Sequence, residues 1–172
     1  QGGLDGLDAA WAEASEEPGE IPKIAYTCGS AQELAALMDW SAGLPARDRI
    51  IAGMGDYGFP SRILSAKMGS LVTYTSALGA GLPRAAPGHL DPETLLNLFR
   101  FRDIGPDTEI YAVTGGRSVT GSRSPELHNA AFRAAGLDAV YLPFPAEDAA
   151  GFLAAAESAR IKGASVTVPL KE

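Results

Sequence analysis

A chain of 172 residues has room for one domain or two small ones, and its 46 % apolar and 20 % charged residues are the balance of a folded globular protein. The net charge of -7 argues against nucleic acid or an anionic membrane as a main partner, while a local basic pocket for an anionic metabolite stays open. The single Cys28 rules out an intrachain disulfide and a cysteine-rich metal site, no apolar run is long enough to span a bilayer, and no signal-peptide pattern is present, which together fit a reducing, cytoplasmic setting.

Leu4, Leu7, Trp11 and Ala14 recur at helical spacing, and Glu16-Glu17-Pro18-Gly19 reads as the stop. Residues 21–27 (IPKIAYT) predict a strand. The next helix is expected over 30–44, with Ser30 as N-cap and Glu33 at the capping-box position. A second strand is expected over 49–54, a short helix over 61–68 and a third strand over 71–76. These alternations predict consecutive βα units of a parallel sheet or barrel. Residues 79–88 read as a loop, and Asp91-Pro92-Glu93 as the acidic start of a helix carrying Leu95, Leu96, Leu98 and Phe99. Residues 101–108, with Gly105-Pro106, mark the expected domain boundary. Beyond them the pattern restarts: strand 110–113, helix 125–135, strand 139–143, helix 147–159 and strand 164–168. Because the first residue is Gln1 and the last motif reaches Lys171, the simplest expectation is a piece of a longer polypeptide.

Two clusters carry chemistry. Lys23 interrupts an apolar strand, where it reads either as an amine made nucleophilic by desolvation and nearby cations, able to form a Schiff base with a ketone, or as an edge-strand lysine that reaches solvent. Arg62, beside Ser61 at the expected helix start, reads either as a bidentate grip on a carboxylate or as a surface arginine. His89 is a loop histidine able to titrate near neutrality. In the second cluster, Ser122 and Ser124 flank Arg123, and present hydroxyls to a polyol or carboxylate or, for Ser124, cap the helix at Pro125. Thr167 and Lys171 stand four apart at a strand end, where the lysine reads either as a proton-transfer group to a carbinol oxygen or as a solvated side chain. Gly115-Gly116-Arg117 invites a phosphate-loop reading but has neither GxGxxG nor GxxxxGK[ST].

From about residue 20 to 100 the chain resembles type I 3-dehydroquinate dehydratase, a (β/α)8 barrel. The resemblance lies in Gly19-Glu20-Ile21-Pro22-Lys23-Ile24-Ala25, in Ser61-Arg62, in Met68-Gly69-Ser70-Leu71-Val72-Thr73-Tyr74 and in Ala86-Pro87-Gly88-His89. It implies that Lys23 condenses with the substrate ketone, that Arg62 binds the substrate carboxylate, that Tyr74 lies against the ring and that His89 belongs to a substrate-covering loop. Ala85 and His89 stand where serine and glutamine are usual. The family's acid/base histidine is expected upstream of Gln1.

From about residue 109 to 172 the chain resembles the substrate-binding domain of shikimate dehydrogenase. The matching pieces are Ser122-Arg123-Ser124-Pro125 with His128-Asn129, the run from Gly136 to Phe144, and the run from Gly163 to Lys171. This resemblance implies that Ser122 and Ser124 bind the shikimate carboxylate, that Thr167 and Ser165 lie along the ring substituents, and that Lys171 is catalytic. Gly121 and Ser165 depart from the usual histidine and asparagine.

The expected fold is therefore α/β: the last βα units of a (β/α)8 barrel over 1–104, followed over 105–172 by the first β-α-β-α-β of a shikimate dehydrogenase-like substrate domain. The order resembles fused shikimate-pathway enzymes, implying a parent that dehydrates 3-dehydroquinate to 3-dehydroshikimate and reduces that to shikimate with NADPH. NADP would be bound by a domain absent from this chain, the dehydratase step would need no cofactor, and no metal site is expected. The substitutions at Ala85, His89, Gly121 and Ser165 motivate a second reading, a non-catalytic shikimate- or quinate-binding or regulatory module. Uncovered barrel edges would favour self-association.

Overall fold

A computed structural model describes residues 6–76 and 90–171. Helix α1 (Leu7–Ala14) precedes strand β1 (Lys23–Thr27), helix α2 (Ala31–Ala42), strand β2 (Ile50–Met54) and the short helix α3 (Phe59–Ile63). The second half runs β3 (Glu109–Gly115), α4 (Ser124–Ala134), β4 (Ala139–Pro145), α5 (Ala149–Ser158) and β5 (Ile161–Val166). β1 and β2 pair in parallel, and so do all strands of a second sheet ordered β4-β3-β5. The architecture is α/β with parallel sheets.

Local chemistry explains most element ends. The Ser30 hydroxyl accepts from the Glu33 N–H at 3.1 Å, while the Glu33 carboxylate accepts from the Gly29 N–H at 2.9 Å, so the return bond of the cap falls one residue earlier than in a standard capping box. The buried face of α2, including Leu34, Leu37 and Met38, follows the three- and four-residue spacing. α3 begins at Phe59 rather than Ser61, because Gly58 lies so close to β2 that a Cβ there would sit 2.5 Å from the Met54 backbone. A 3-10 turn over Ser65–Met68 then replaces the rest of the expected helix.

The expected third strand does not form. The Ser70 hydroxyl accepts from the Ile51 N–H and donates to the Val72 carbonyl, each at 3.0 Å, and a direct backbone bond runs from the Leu71 N–H to the Arg49 carbonyl. A side chain thus occupies the space that a ladder would use, and residues 71–76 are not assigned as a strand. The helix expected from Asp91 forms over 92–98 and is π-helical over Thr94–Leu98, with the Asp91 carboxylate accepting from the Thr94 N–H at 2.8 Å. It buries Leu95 and Phe99. The expected loop over 79–88 lies outside the described residues.

In the second sheet β4 is an edge strand, and one side chain closes the edge. Asn129 of α4 accepts from the Tyr141 N–H at 2.7 Å and donates to the Tyr141 carbonyl at 2.8 Å. Within this fully buried strand the outward N–H and C=O of Tyr141 are thereby satisfied. The last strand, Ile161–Val166, starts three residues before its expected position and stops two short of it, leaving Thr167 just past its end.

One apolar core draws on both halves: Leu34, Leu37 and Ile63 pack in the same cluster as Ile110, Leu142 and Phe144. α2 lies against α5, where the Ser158 hydroxyl donates to the Asp39 carboxylate at 2.9 Å.

Candidate functional site

The strand pattern decides where Lys23 points. In β1 Ile24 is buried and Lys23, Ala25 and Thr27 are exposed, so the lysine lies on the face of the β1–β2 sheet that no helix covers. Of the two readings of Lys23, its exposure matches the strand lysine that reaches solvent. Its neighbour is aromatic: Lys23 Nζ stands 4.4 Å from the centroid of the Tyr74 ring, a cation–π contact. The segment 71–76, although not a strand, carries Tyr74 to this position.

Arg62 is the reverse case. It lies in the last turn of α3 and is only 4 % exposed, which sets aside the surface-arginine reading. Burial pushes the basicity of its guanidinium down, and the nearby Tyr74 pushes the other way. Among the described residues no carboxylate forms an ion pair with it. A guanidinium kept from water and from protein anions is suited to an external carboxylate. Tyr74 is thus the common neighbour of Lys23 and Arg62. Ser61, beside it, is structural: its hydroxyl donates to the Gly58 carbonyl at 2.6 Å and accepts from the Gly53 N–H at 2.9 Å, fixing the β2–α3 loop. His89 lies outside the described residues.

A second buried arginine carried no signal in the sequence. Arg49 donates to the carbonyls of Pro45, Ser41 and Met68 at 2.8, 3.0 and 3.3 Å, tying the end of α2 to the 3-10 turn. Its guanidinium lies 2.3 Å from where a Cβ of Gly69 would be, and Gly69 has a φ of 65°, so both space and backbone conformation require glycine there. Arg49 is a scaffold residue.

The residues of the second cluster lie on loops that leave neighbouring strands, because β3 pairs directly with β5, Thr114 opposite Val166. The loops leaving both strands therefore emerge side by side at the carboxyl edge of a parallel sheet, where such sheets hold ligands. Ser122 and Ser124 follow β3, whereas Thr167 and Lys171 follow β5. The cap expected at Ser124 does not form: α4 begins at Ser124 itself, Arg123 stands at the N-cap position without a side-chain cap bond, and the Ser124 N–H donates to the Ser122 hydroxyl at 3.2 Å. Thr167 is held by its backbone, donating to the Thr114 carbonyl at 2.9 Å and accepting from the Leu170 N–H at 2.9 Å. Ser165, within β5, and Lys171 are both exposed.

The glycine pair of the β3–α4 loop has a mechanical explanation. A Cβ on Gly115 would fall 2.7 Å from both Thr167 Cγ2 and the Val168 carbonyl oxygen, and the Gly116 N–H donates to that carbonyl at 3.2 Å. The hollow that a dinucleotide phosphate would need is filled by the chain after β5, so the residues present do not fit that group. A cleft of about 980 Å³ lies between α2, α5 and the turn at Ile104–Pro106, away from both clusters.

Comparison with known proteins agrees with this division. A model of type I 3-dehydroquinase matches residues 5–106. The chain belongs to that family. A model of the shikimate dehydrogenase substrate binding domain matches residues 115–172 of the same chain. This type I 3-dehydroquinase relative is 33 % identical over 98 % of its length to the bifunctional 3-dehydroquinate dehydratase/shikimate dehydrogenase, chloroplastic, of Arabidopsis thaliana, covering 27 % of that protein. It is 30 % identical over 96 % of its length to the shikimate biosynthesis protein AroDE of Chlamydia pneumoniae, covering 34 % of it. Over 68 residues, 38 % of the chain, it is 44 % identical to the shikimate dehydrogenase (NADP(+)) of Thermococcus kodakarensis, covering 25 % of that protein. The chain thus spans about a third or less of the relatives it matches.

Proposed function

We propose that this chain contributes to two consecutive reactions of one polypeptide: loss of water from 3-dehydroquinate through a Lys23 Schiff base, and NADPH-dependent reduction of 3-dehydroshikimate to shikimate. The observation that carries the first step is the grouping of an accessible amine, a ring and an unpaired buried guanidinium at Lys23, Tyr74 and Arg62. The Lys23 amine adds to the ketone and water leaves as the iminium forms. The iminium then accepts the electron pair released when a base outside these residues removes the adjacent proton, hydroxide departs as water, and hydrolysis returns the free lysine. Arg62 holds the carboxylate, Tyr74 packs on the ring, and His89 belongs to the covering loop.

The exposed face of the β1–β2 sheet is, in this reading, the interior of a (β/α)8 barrel whose part in this chain is residues 1–104. Residues 105–172 then supply one wall of the shikimate pocket: Ser122 and Ser124 for the carboxylate, Ser165 and Thr167 for the ring substituents, and Lys171 for proton transfer to the carbinol oxygen. In this reading NADP is held by another part of the polypeptide. We place the protein in the cytoplasm; among the described residues no helix is long and apolar enough to cross a membrane. Open edges of the two-stranded sheet provide a route to self-association.

Borohydride trapping tests the proposal. With 3-dehydroquinate, the full-length polypeptide should gain a reduced adduct on the peptide containing Lys23, and Lys23→Arg should abolish it. If Lys23 stays unmodified while the ligand still binds, the dehydratase assignment fails in favour of a non-catalytic binding module.

A further inference from the structure

The β3–α4 loop carries Ser122 at one end and Arg117 near the other, and Arg117 is engaged across the boundary between the two halves. Its Nε donates to the Tyr57 hydroxyl at 3.2 Å, and its guanidinium carbon stands 5.2 Å from the centroid of the Tyr57 ring. The Asp56 carboxylate is 4.0 Å away. Tyr57 belongs to the β2–α3 loop, ahead of Ser61 and Arg62, and is only 5 % exposed. Glu147, from the β4–α5 loop, bears on the same hydroxyl, and its carboxylate accepts from the Ala31 N–H at the start of α2 at 3.4 Å.

Partners from the first half (Tyr57, Asp56, Ala31) therefore alternate with partners from the second (Arg117, Glu147). The hydroxyl is matched in both directions, accepting from Arg117 and free to donate to Glu147. Inside the second half, the loop is pressed on its other side against the chain after β5 through Gly115 and Gly116. Arg117 itself is largely solvent-exposed, so its bond to Tyr57 is the loop's hold on the first half rather than a product of burial.

We infer that Arg117 is a positioning residue whose anchor, Tyr57, lies in the dehydratase half, so that one half fixes the geometry of the Ser122–Ser124 loop used by the other. The kinetic part of this inference rests on the dehydrogenase reading above; the mechanical part does not. Loss of the Tyr57–Arg117 bond frees residues 116–122 while leaving Lys23, Arg62 and Tyr74 in place.

The test uses Tyr57→Phe, which keeps the buried ring, Arg117→Gln, and their combination, all in the full-length polypeptide. Hydrogen exchange read by mass spectrometry should quicken at the amides of Gly116, Val119 and Ser122 by about tenfold in each single variant, with no further gain in the double. The KM for 3-dehydroshikimate should rise about three- to tenfold with kcat within about twofold, and dehydratase kcat/KM should not change in Arg117→Gln. Unchanged exchange in both single variants, or additive effects in the double, overturns the anchor. Faster exchange with an unchanged KM overturns the positioning role. Absence of any NADPH-dependent reduction by the unmodified protein sinks the dehydrogenase reading instead, and exchange alone then decides the anchor.

Discussion

Lys171 and Cys28 show how differently single residues respond to their surroundings. Lys171 is exposed one residue before the chain's end, and nothing about its own packing marks it as reactive. Its significance comes from following β5 beside the loop that leaves β3. If it transfers the proton at the carbinol oxygen, Lys171→Ala in the full-length polypeptide should lower dehydrogenase kcat by about 100-fold or more while shikimate Kd moves by less than about threefold. Comparable losses in both would mark it as a binding residue only. Cys28, at the end of β1, is 3 % exposed, and burial followed by the nearby Glu33 pushes its thiol up to about 12. The folded protein then keeps this proton where the unfolded chain, with a thiol near 8.5, has lost it. Stability from this source is intact below about pH 8.5 and falls by about 1.4 kcal/mol per pH unit until the folded thiol also ionises. Denaturant titrations at pH 8 and pH 10.5 should show a drop of roughly 2–3 kcal/mol that is missing in Cys28→Ala. Equal drops in both proteins would place the alkaline sensitivity elsewhere. The role of Arg62 was less legible than that of Ser30. A cap is a contact over three residues, whereas the burial of an arginine depends on elements brought over it by the fold.

The elements divide along the same line. Ser30 and the periodicity of α2 were readable because helix signals repeat within one or two turns. The third strand was not. Residues 71–76 have the composition of a strand, yet the Ser70 hydroxyl stands between the backbones of Ile51 and Val72. Asn129 makes the opposite case, a polar residue in a helix whose job is to finish an edge strand. Replacing it with leucine removes both partners of Tyr141 and leaves a buried N–H and C=O unpaired. The expected cost is about 2–5 kcal/mol, from about 1–3 for each orphaned group. Chemical denaturation of Asn129→Leu measures it, and a loss below about 1 kcal/mol would show that water or a shifted side chain replaces the amide. His128, the next residue back, stacks on the Tyr141 ring at 4.1 Å and 12°, so α4 grips β4 by ring and amide together.

At the scale of the molecule, two halves that match different families share one core. Leu37 of α2 is fully buried in this core, and Leu37→Ala should cost about 2–5 kcal/mol. Because Ile110 and Leu142 lie in the same cluster, slow exchange of β1 and of β3–β4 should be weakened together. Weakening confined to β1 would mean that the halves unfold independently. Residue order alone was enough for the α/β alternation and the parallel class, because apolar periodicity and turn residues act over a few positions. Packing decided that Lys23 is open while Arg62 is buried, that α4 starts at Ser124 rather than being capped by it, and that Arg117 reaches Tyr57 sixty residues away. Periodicity says which face of an element is apolar. What covers that face, and which loops meet beyond it, is settled only when the elements are stacked in three dimensions.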